Sequence, residues 1–256
     1  MIHETAIVSE NADIAEGVSI GPYSIIGPDV SIGSETIIES HVVITGRTTI
    51  GKQNHFYPFS TIGESPQDMK YKGEDTELEI GDRNTIRESC TINKGTVQDT
   101  GVTRLGNDNW IMAYVHIAHD CQIGNNTVFA NNTTLGGHIE VGDYAIFGGF
   151  SGAHQFCKIG SHSFLGIYSG VAKDLPPYVI VTGQPAVPRG INIEGLKRRG
   201  FTTEQIRNIK NAYKLLYNSD LRLEEAQEKI SGLDEVSNEL QVMLEFIQAS
   251  TRGIIR

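Results

Sequence analysis

Residues 2–62 read IHETAIVSENADIAEGVSIGPYSIIGPDVSIGSETIIESHVVITGRTTIGKQNHFYPFSTI, and an apolar residue returns in them at every sixth position. The series is Ile2, Val8, Ile14, Ile20, Ile26, Ile32, Ile38, Ile44, Ile50, Phe56 and Ile62. Two residues before each member, from Ala6 to Ser60, stands something small or β-branched, or once an Asn. A helix repeats its apolar positions near 3.6 and a half-buried strand near 2, so a strict six excludes both. It is the signature of a hexapeptide β-helix. Three short strands of about six residues make one triangular coil, and each coil hydrogen-bonds to the next about 4.8 Å above it. The large aliphatic fills the interior, and the small residue fits where the chain turns. Gly at Gly21, Gly27, Gly33, Gly51 and Gly63, and Asn elsewhere, are expected at corners because they tolerate positive φ.

The period breaks twice. One excursion is expected near 64–79, before Ile80, Ile86 and Ile92 restore the pattern. A second, near 93–104, shifts the register by one residue. The longest unbroken block follows, from Leu105 through Ile111, Ile117, Ile123, Phe129, Leu135, Val141, Phe147, Ala153, Ile159 and Leu165 to Val171. Insertions in a solenoid become loops on its outside, often beside a binding face.

The pattern ends at Pro176-Pro177, and Pro185 and Pro188 punctuate the exit. From Ile191 the chain reads helical, with a capping-box start at Thr202-Thr203-Glu204-Gln205 and further helices over about Leu223–Ile230 and Glu235–Ala249. The expected organisation is a β-helical domain, 1–190, and an α-helical C-terminal domain, 191–256, capping the last coil. At 256 residues the chain can bury a substantial core. It has no 18-residue apolar run, so no membrane span is expected, and its polar, acidic start does not resemble a signal peptide. Cys90, Cys121 and Cys157 fall at the small inward phase of the hexad and read as core packers in a reduced, cytoplasmic protein. Residues 1–190 hold 11 Lys and Arg against 21 Asp and Glu, a balance of −10, whereas residues 191–256 hold 10 of each. The local run of Lys197, Arg198, Arg199, Arg207, Lys210 and Lys214 suits an acidic partner or a phosphorylated ligand. A long nucleic acid would be repelled by the chain as a whole.

All eight histidines precede residue 163, and five lie between His116 and His162. With 18 residues per coil, His119 stacks beneath Gly137, Gly137 beneath Gln155, and Asp120 beneath His138. The column spans two rungs, roughly 10 Å. An imidazole, a backbone without a side chain and an amide so placed suit acid–base chemistry beside an N–H donor.

The segments TIGESPQDMKYKGE (61–74), IGDRNTIRES (80–89), VHIAHDC (115–121), GGHIEVGD (136–143), AHQFCKIG (153–160), DLPPYVI (174–180) and NIEGLKRRGF (192–201) carry a resemblance over essentially the whole chain. It resembles the UDP-N-acetylglucosamine acyltransferases, which acylate the sugar nucleotide from acyl carrier protein in the first step of lipid A synthesis. Hexads alone are shared with many acetyltransferases; HIAHDC together with NIEGLKRRGF is far narrower. The resemblance implies a left-handed β-helix and a cytoplasmic homotrimer with sites between neighbouring subunits. It implies that His119 is the general base toward the glucosamine 3-hydroxyl, that Asp120 orients it, and that the Gly137 N–H stabilises the oxyanion. Gln67, Asp68, Lys70, His116, His138 and Gln155 would contact the sugar nucleotide or the hydroxyl of a 3-hydroxyacyl chain. Asn192, Glu194, Arg198 and Arg199 would hold uridine and phosphates, and the basic segment would help dock the acidic carrier protein. No metal and no cofactor are implied, the acyl donor arriving on the carrier's phosphopantetheine. Ile167 stands where members taking longer chains can have Gly, so a shorter acyl preference is expected.

Other readings stay open on the residues alone. A zinc-dependent, carbonic-anhydrase-like hexapeptide protein would use His116, His119 and His138 as ligands. A later-step N-acyltransferase, or one using coenzyme A, would share the solenoid. A non-catalytic scaffold would not need His119-Asp120 beneath Gly137.

Overall fold

The computed structural model describes residues 1–232 and 237–256. The sixfold period folds as a parallel β-helix. One coil consists of the strands Trp110–Ile111, His116–Ile117 and Gln122–Ile123, two residues each. Stacking of coils produces sheets of ten, nine and eight strands, to which those three belong in that order. The register in the unbroken block is 18: His116 pairs with Thr134, and Thr134 with Gly152. All pairings are parallel except the last, where Val179–Thr182 meets Val187–Ile191 in an antiparallel ribbon.

Both inward phases of the hexad are buried. Ile20, Ile38, Phe56, Ile86, Ile111, Phe129, Phe147 and Leu165 form one column, and Phe129 stacks on Phe147 at 4.6 Å. The small phase buries polar groups that bond from coil to coil. Asn54, Asn84 and Asn109 make an amide ladder, Asn84 Nδ2 donating to Asn54 Oδ1 at 3.0 Å and Asn109 Nδ2 to Asn84 Oδ1 at 3.0 Å. Each buried amide is thereby satisfied, which is what makes it tolerable in an apolar interior. Cys90, Cys121 and Cys157 are free thiols on this inward phase.

The corners correct one expectation. Of the five glycines expected to turn the chain, only Gly63 has a positive φ. Positive φ falls instead on the residue three places before the large apolar one, where Tyr23, Glu35, His41, Gln53, Phe59 and many others sit, Asn126 and Asn132 among them. Inter-coil bonds such as His41 N–H to the Pro22 carbonyl, 3.0 Å, hold the backbone there. Gly21 and Gly33 serve close approach: a Cβ would meet the next coil's backbone at 2.7 and 2.6 Å.

The two excursions leave from one corner, between the nine- and eight-stranded sheets. They lengthen the coil step to 30 residues between Thr61 and Thr91 and to 25 between Thr91 and His116. Both are shorter than expected, because Thr61–Glu64, Glu77–Ile80, Thr91–Asn93 and Val102–Leu105 extend the strands into them. Residues 65–76 and 94–101 remain as loops.

After Ile191 come α1 (Ile193–Arg198), α2 (Thr203–Tyr217), α3 (Leu223–Ser231) and α4 (Asn238–Gln248). Thr202 and Gln205 form the capping box of α2. The expected start of the last helix at Glu235 lies outside the described residues. Ile209, Ala212 and Leu216 of α2 bury against Ile230, Met243 and Leu244. The tail is pinned to the last coil by buried Asp174, which accepts from Lys158 N–H at 2.8 Å and Ser250 Oγ at 2.6 Å. No described helix is long and apolar enough to cross a membrane.

Candidate active site

His119 follows the strand His116–Ile117 by two residues, on the corner from which both excursions leave. The corner above repeats at Gly137 and again at Gln155, as the 18-residue register requires. The His119 ring lies flat beneath Gly137: a Cβ there would meet His119 Cε1 at 2.5 Å. Any side chain at 137 would displace the imidazole. Gly137 N–H has no hydrogen-bond partner among the described residues, and in early coils the same slot takes Pro22, Pro28 and Pro58, which have no N–H. The solenoid makes no use of this donor.

Asp120 is buried at a φ of 60°. Its carboxylate accepts from His119 Nδ1 at 2.8 Å, Thr96 N–H at 2.9 Å and Thr96 Oγ1 at 2.6 Å. Burial by itself raises the Asp120 carboxyl, but the hydrogen bonds from His119 and Thr96 outweigh it and leave the group below its ordinary value. Asp120 is thus ionised at neutral pH, His119 donates through Nδ1, and the lone pair is left on Nε2.

A cleft of about 980 Å³ surrounds this ring, lined by Gln67, Asp68, Lys70, Asp99, His138 and Gln155 among others. It brings the expected first-excursion residues to the histidines. His138 stacks on Phe156 with centroids 4.4 Å apart and stands edge-on to His119 at 4.9 Å. His116 does not join them. It lies on the flat nine-stranded face with Nδ1 2.7 Å from Thr91 Oγ1, and burial, with a smaller effect of His119, lowers its pKa. The three groups whose ligand atoms lie within 4.8 Å of one another are His119, Asp120 and His138, so the three-histidine zinc arrangement is not formed.

The expected nucleotide residues are on another corner, between the eight- and ten-stranded sheets. Asn192 caps α1, accepting from Gly195 N–H at 3.1 Å and donating to the His162 carbonyl at 3.0 Å. Glu194 pairs with Lys197 at 3.0 Å, and the Arg199 guanidinium lies 5.0 Å over the Tyr144 ring. Buried Arg199 Nη1 has no partner among the described residues. Ile167 is on the third corner, 64% exposed. A single chain therefore does not unite the three groups.

Comparison with known proteins decides what such a constellation belongs to. A family model described as Udp N-acetylglucosamine O-acyltransferase, Domain 2, matches residues 174–255, and one described as bacterial transferase hexapeptide matches residues 11–46 and 103–137. The acyl-[acyl-carrier-protein]--UDP-N-acetylglucosamine O-acyltransferase of Verminephrobacter eiseniae is 54% identical over 259 residues, covering 100% of this chain and 99% of its own. This chain belongs to the UDP-N-acetylglucosamine O-acyltransferase family. The Thiobacillus denitrificans enzyme of the same name is 58% identical over 80% of this chain and 79% of its own. The crystal structure of the Francisella novicida UDP-N-acetylglucosamine acyltransferase matches with a TM-score of 0.97 at 45% identity, covering 100% of this chain and 94% of that one. The solenoid is accordingly the left-handed hexapeptide β-helix of the acyltransferase family.

Sequence reasoning passed over Thr96 and Asp99, which reach the site from the second excursion. The signal was present, because both excursions interrupt the hexad at the phase that His119 occupies in its own coil. The loop's path, and hence which side chains turn inward, has no periodicity to read.

Near Arg199, burial and, second, that guanidinium lower the His162 pKa to about 4. His162 Nδ1 is buried without a partner among the described residues. The unfolded chain binds this proton near pH 6.5, whereas the fold resists it until about 4. Stability linked to His162 is therefore intact above pH 6.5 and falls as the pH drops toward 4. Denaturant midpoints are expected to fall between pH 7.5 and 5, and to fall less in His162→Gln; equal pH dependence in the two proteins would refute the assignment.

Proposed function

We infer that this chain transfers a 3-hydroxyacyl group from acyl carrier protein to the glucosamine 3-hydroxyl of UDP-N-acetylglucosamine, the first step of lipid A synthesis. The observation that carries the reading is the His119–Asp120 pair beneath the unhindered Gly137 N–H, in a chain of this family. His119 Nε2 takes the hydroxyl proton as the oxygen attacks the thioester carbonyl. The Gly137 N–H donates to the oxyanion that develops. The C–S bond then breaks, and the imidazolium returns its proton to the departing thiolate. The thioester is already activated, so no covalent enzyme intermediate is needed.

Asp120, ionised and locked by Thr96, holds His119 in the tautomer the step requires. Gln67, Asp68, Lys70, His138 and Gln155 bind the reacting ends of the two substrates. Asn192, Glu194, Arg198 and Arg199 hold the nucleotide, and His116 lines the acyl side. Arg198, Lys210 and Lys214, which have no ion-pair partner among the described residues, offer a docking surface to the acidic carrier protein. The whole takes place in the cytoplasm.

The dispersal of these groups over three corners supports a homotrimer in which sites form between subunits. A second observation agrees. The corner between the ten- and nine-stranded sheets carries Tyr23, Phe59, Tyr114, Phe150 and Tyr168, each more than half exposed. His41 lies between Tyr23 and Phe59 with centroids 5.2 and 5.1 Å away and the rings tilted, making a ridge along the prism. Exposed apolar surface of this extent marks an interaction site.

The purified enzyme is expected to convert UDP-N-acetylglucosamine and a 3-hydroxyacyl carrier protein to an ester product, and His119→Ala to lower kcat at least about 100-fold with its thermal melt unchanged. Activity retained in that variant would remove His119 from the role of base. Light scattering should give three times the chain mass of 28.0 kDa, and a monomer active at the same dilution would exclude shared sites. Ile167→Gly is expected to move the best donor to a longer acyl chain; an unaltered profile across a panel of chain lengths would exclude Ile167 as the determinant.

A further inference from the structure

The second excursion contains one carboxylate that the reaction as described does not use. Asp99 Oδ2 lies 2.7 Å from His138 Nδ1, across 39 residues of sequence. The loop presenting it is closed at its neck. Gly95 N–H donates to the Glu77 carbonyl at 3.0 Å, and a Cβ on Gly95 would meet the Val102 nitrogen at 2.3 Å. Thr96, three residues before Asp99, is bound twice to Asp120. Asp99 is therefore carried on a segment closed at its neck and held again at Thr96.

His138 has two constraints, and they act on different freedoms. The Phe156 ring lies parallel to it within 8°, which fixes the plane of the imidazole. Stacking cannot tell the ring from the same ring turned by 180° about its Cβ–Cγ bond, because both conformers lie in the same plane and the two faces of a planar ring stack alike. The turn exchanges Nδ1 for a carbon and moves Nε2 across the cleft. Asp120 does not decide between them: its Oδ2 is 3.8 Å from His138 Nδ1 and already accepts from Thr96 and His119. The Asp99 carboxylate accepts only from an N–H, so it selects the conformer with Nδ1–H toward the loop.

We propose that Asp99 is a positioning residue for the transfer reaction: by accepting the Nδ1–H of His138 it chooses one flip of that ring and leaves Nε2 as the acceptor facing the substrate cleft. The inference rests on the reading of His138 as a substrate-binding group. His138 contacts a substrate and Asp99 does not, so losing Asp99 weakens binding while the His119–Asp120 pair is undisturbed.

Two variants test this in the full-length enzyme. In protein labelled with ¹⁵N-histidine at pH 8, without substrates, the wild type is expected to show His138 as the Nδ1–H tautomer, and Asp99→Ala to show a mixture. Asp99→Ala is expected to raise KM for one of the two substrates about 10-fold with kcat within about 2-fold, the pattern of lost binding rather than lost chemistry. Asp99→Asn keeps an acceptor oxygen and is expected to recover most of that loss and the wild-type tautomer. A wild-type ring already mixed, an unaltered tautomer in Asp99→Ala, unchanged KM for both substrates, or a loss confined to kcat would overturn the proposal. The tautomer is read without turnover, so failure of the function reading would appear separately, as an inactive wild type with His138 still fixed by Asp99.

Discussion

Each coil hydrogen-bonds to the next at a constant rise, and everything else in this molecule is arranged around that constraint. Because the rise is fixed, residues 18 apart share a corner, a face or an inward column. A favourable contact can then be repeated up the axis, and it persists even where an excursion lengthens the step, as in the Asn54–Asn84–Asn109 ladder. Conversely, a residue cannot be moved along the chain without moving to another face. The chain departs from the rule only by adding residues at a corner, where no ladder hydrogen bond need be lost. Both departures use one corner, so the extra chain collects where His119 stands.

The rule also explains why one glycine serves two ends. At Gly137 the absent Cβ leaves room for the imidazole from the coil below. The same residue occupies a slot whose N–H the solenoid leaves unbonded. Elsewhere the donor in this slot can be capped by a side chain of the next coil, as Lys52 N–H is by Asp82 and Asn107 N–H by Asn125, or removed by Pro. With the His119 imidazole one coil beneath, the uncapped Gly137 N–H becomes the directed donor of the reaction proposed above, at the cost of a single side chain. Asp120 shows the complementary economy. It holds a positive φ at a corner, is buried, and is satisfied from an excursion rather than from the coil, so its charge is available to His119.

How much of this could be read from residues follows from which parts obey the period. The inward columns, the coil length and the placing of His119 under Gly137 follow from counting, and the structure has them where counting puts them. The turn chemistry did not follow, because glycine after the large residue suggested the backbone angle when its purpose is the approach of the next coil. Tyr23, Glu35 and His41 hold positive φ through inter-coil bonds that no local propensity reveals. The lengths of the excursions were overestimated because strand pairing continues through residues such as Glu77 and Glu79, which look like loop by charge alone. Thr96 and Asp99 were illegible for a different reason. Their contacts depend on a closed loop path, and only coordinates specify one.

The dispersal of the remaining groups is a consequence of the same geometry. A triangular prism has three corners that point away from one another, so one chain cannot converge side chains from all three on one ligand. It can assemble a base, its carboxylate and an N–H donor on a single corner, since those need only neighbouring coils. Arg199, over Tyr144 with a nitrogen buried and unpartnered among the described residues, and Ile167, exposed at the third corner, are the groups that the homotrimer proposed above would bring to the His119 corner of another subunit. On the reading proposed above, the groups for chemistry lie within a chain, the rest of the substrate site would form where chains of the homotrimer meet, and the exposed aromatic ridge would be the surface that joins them.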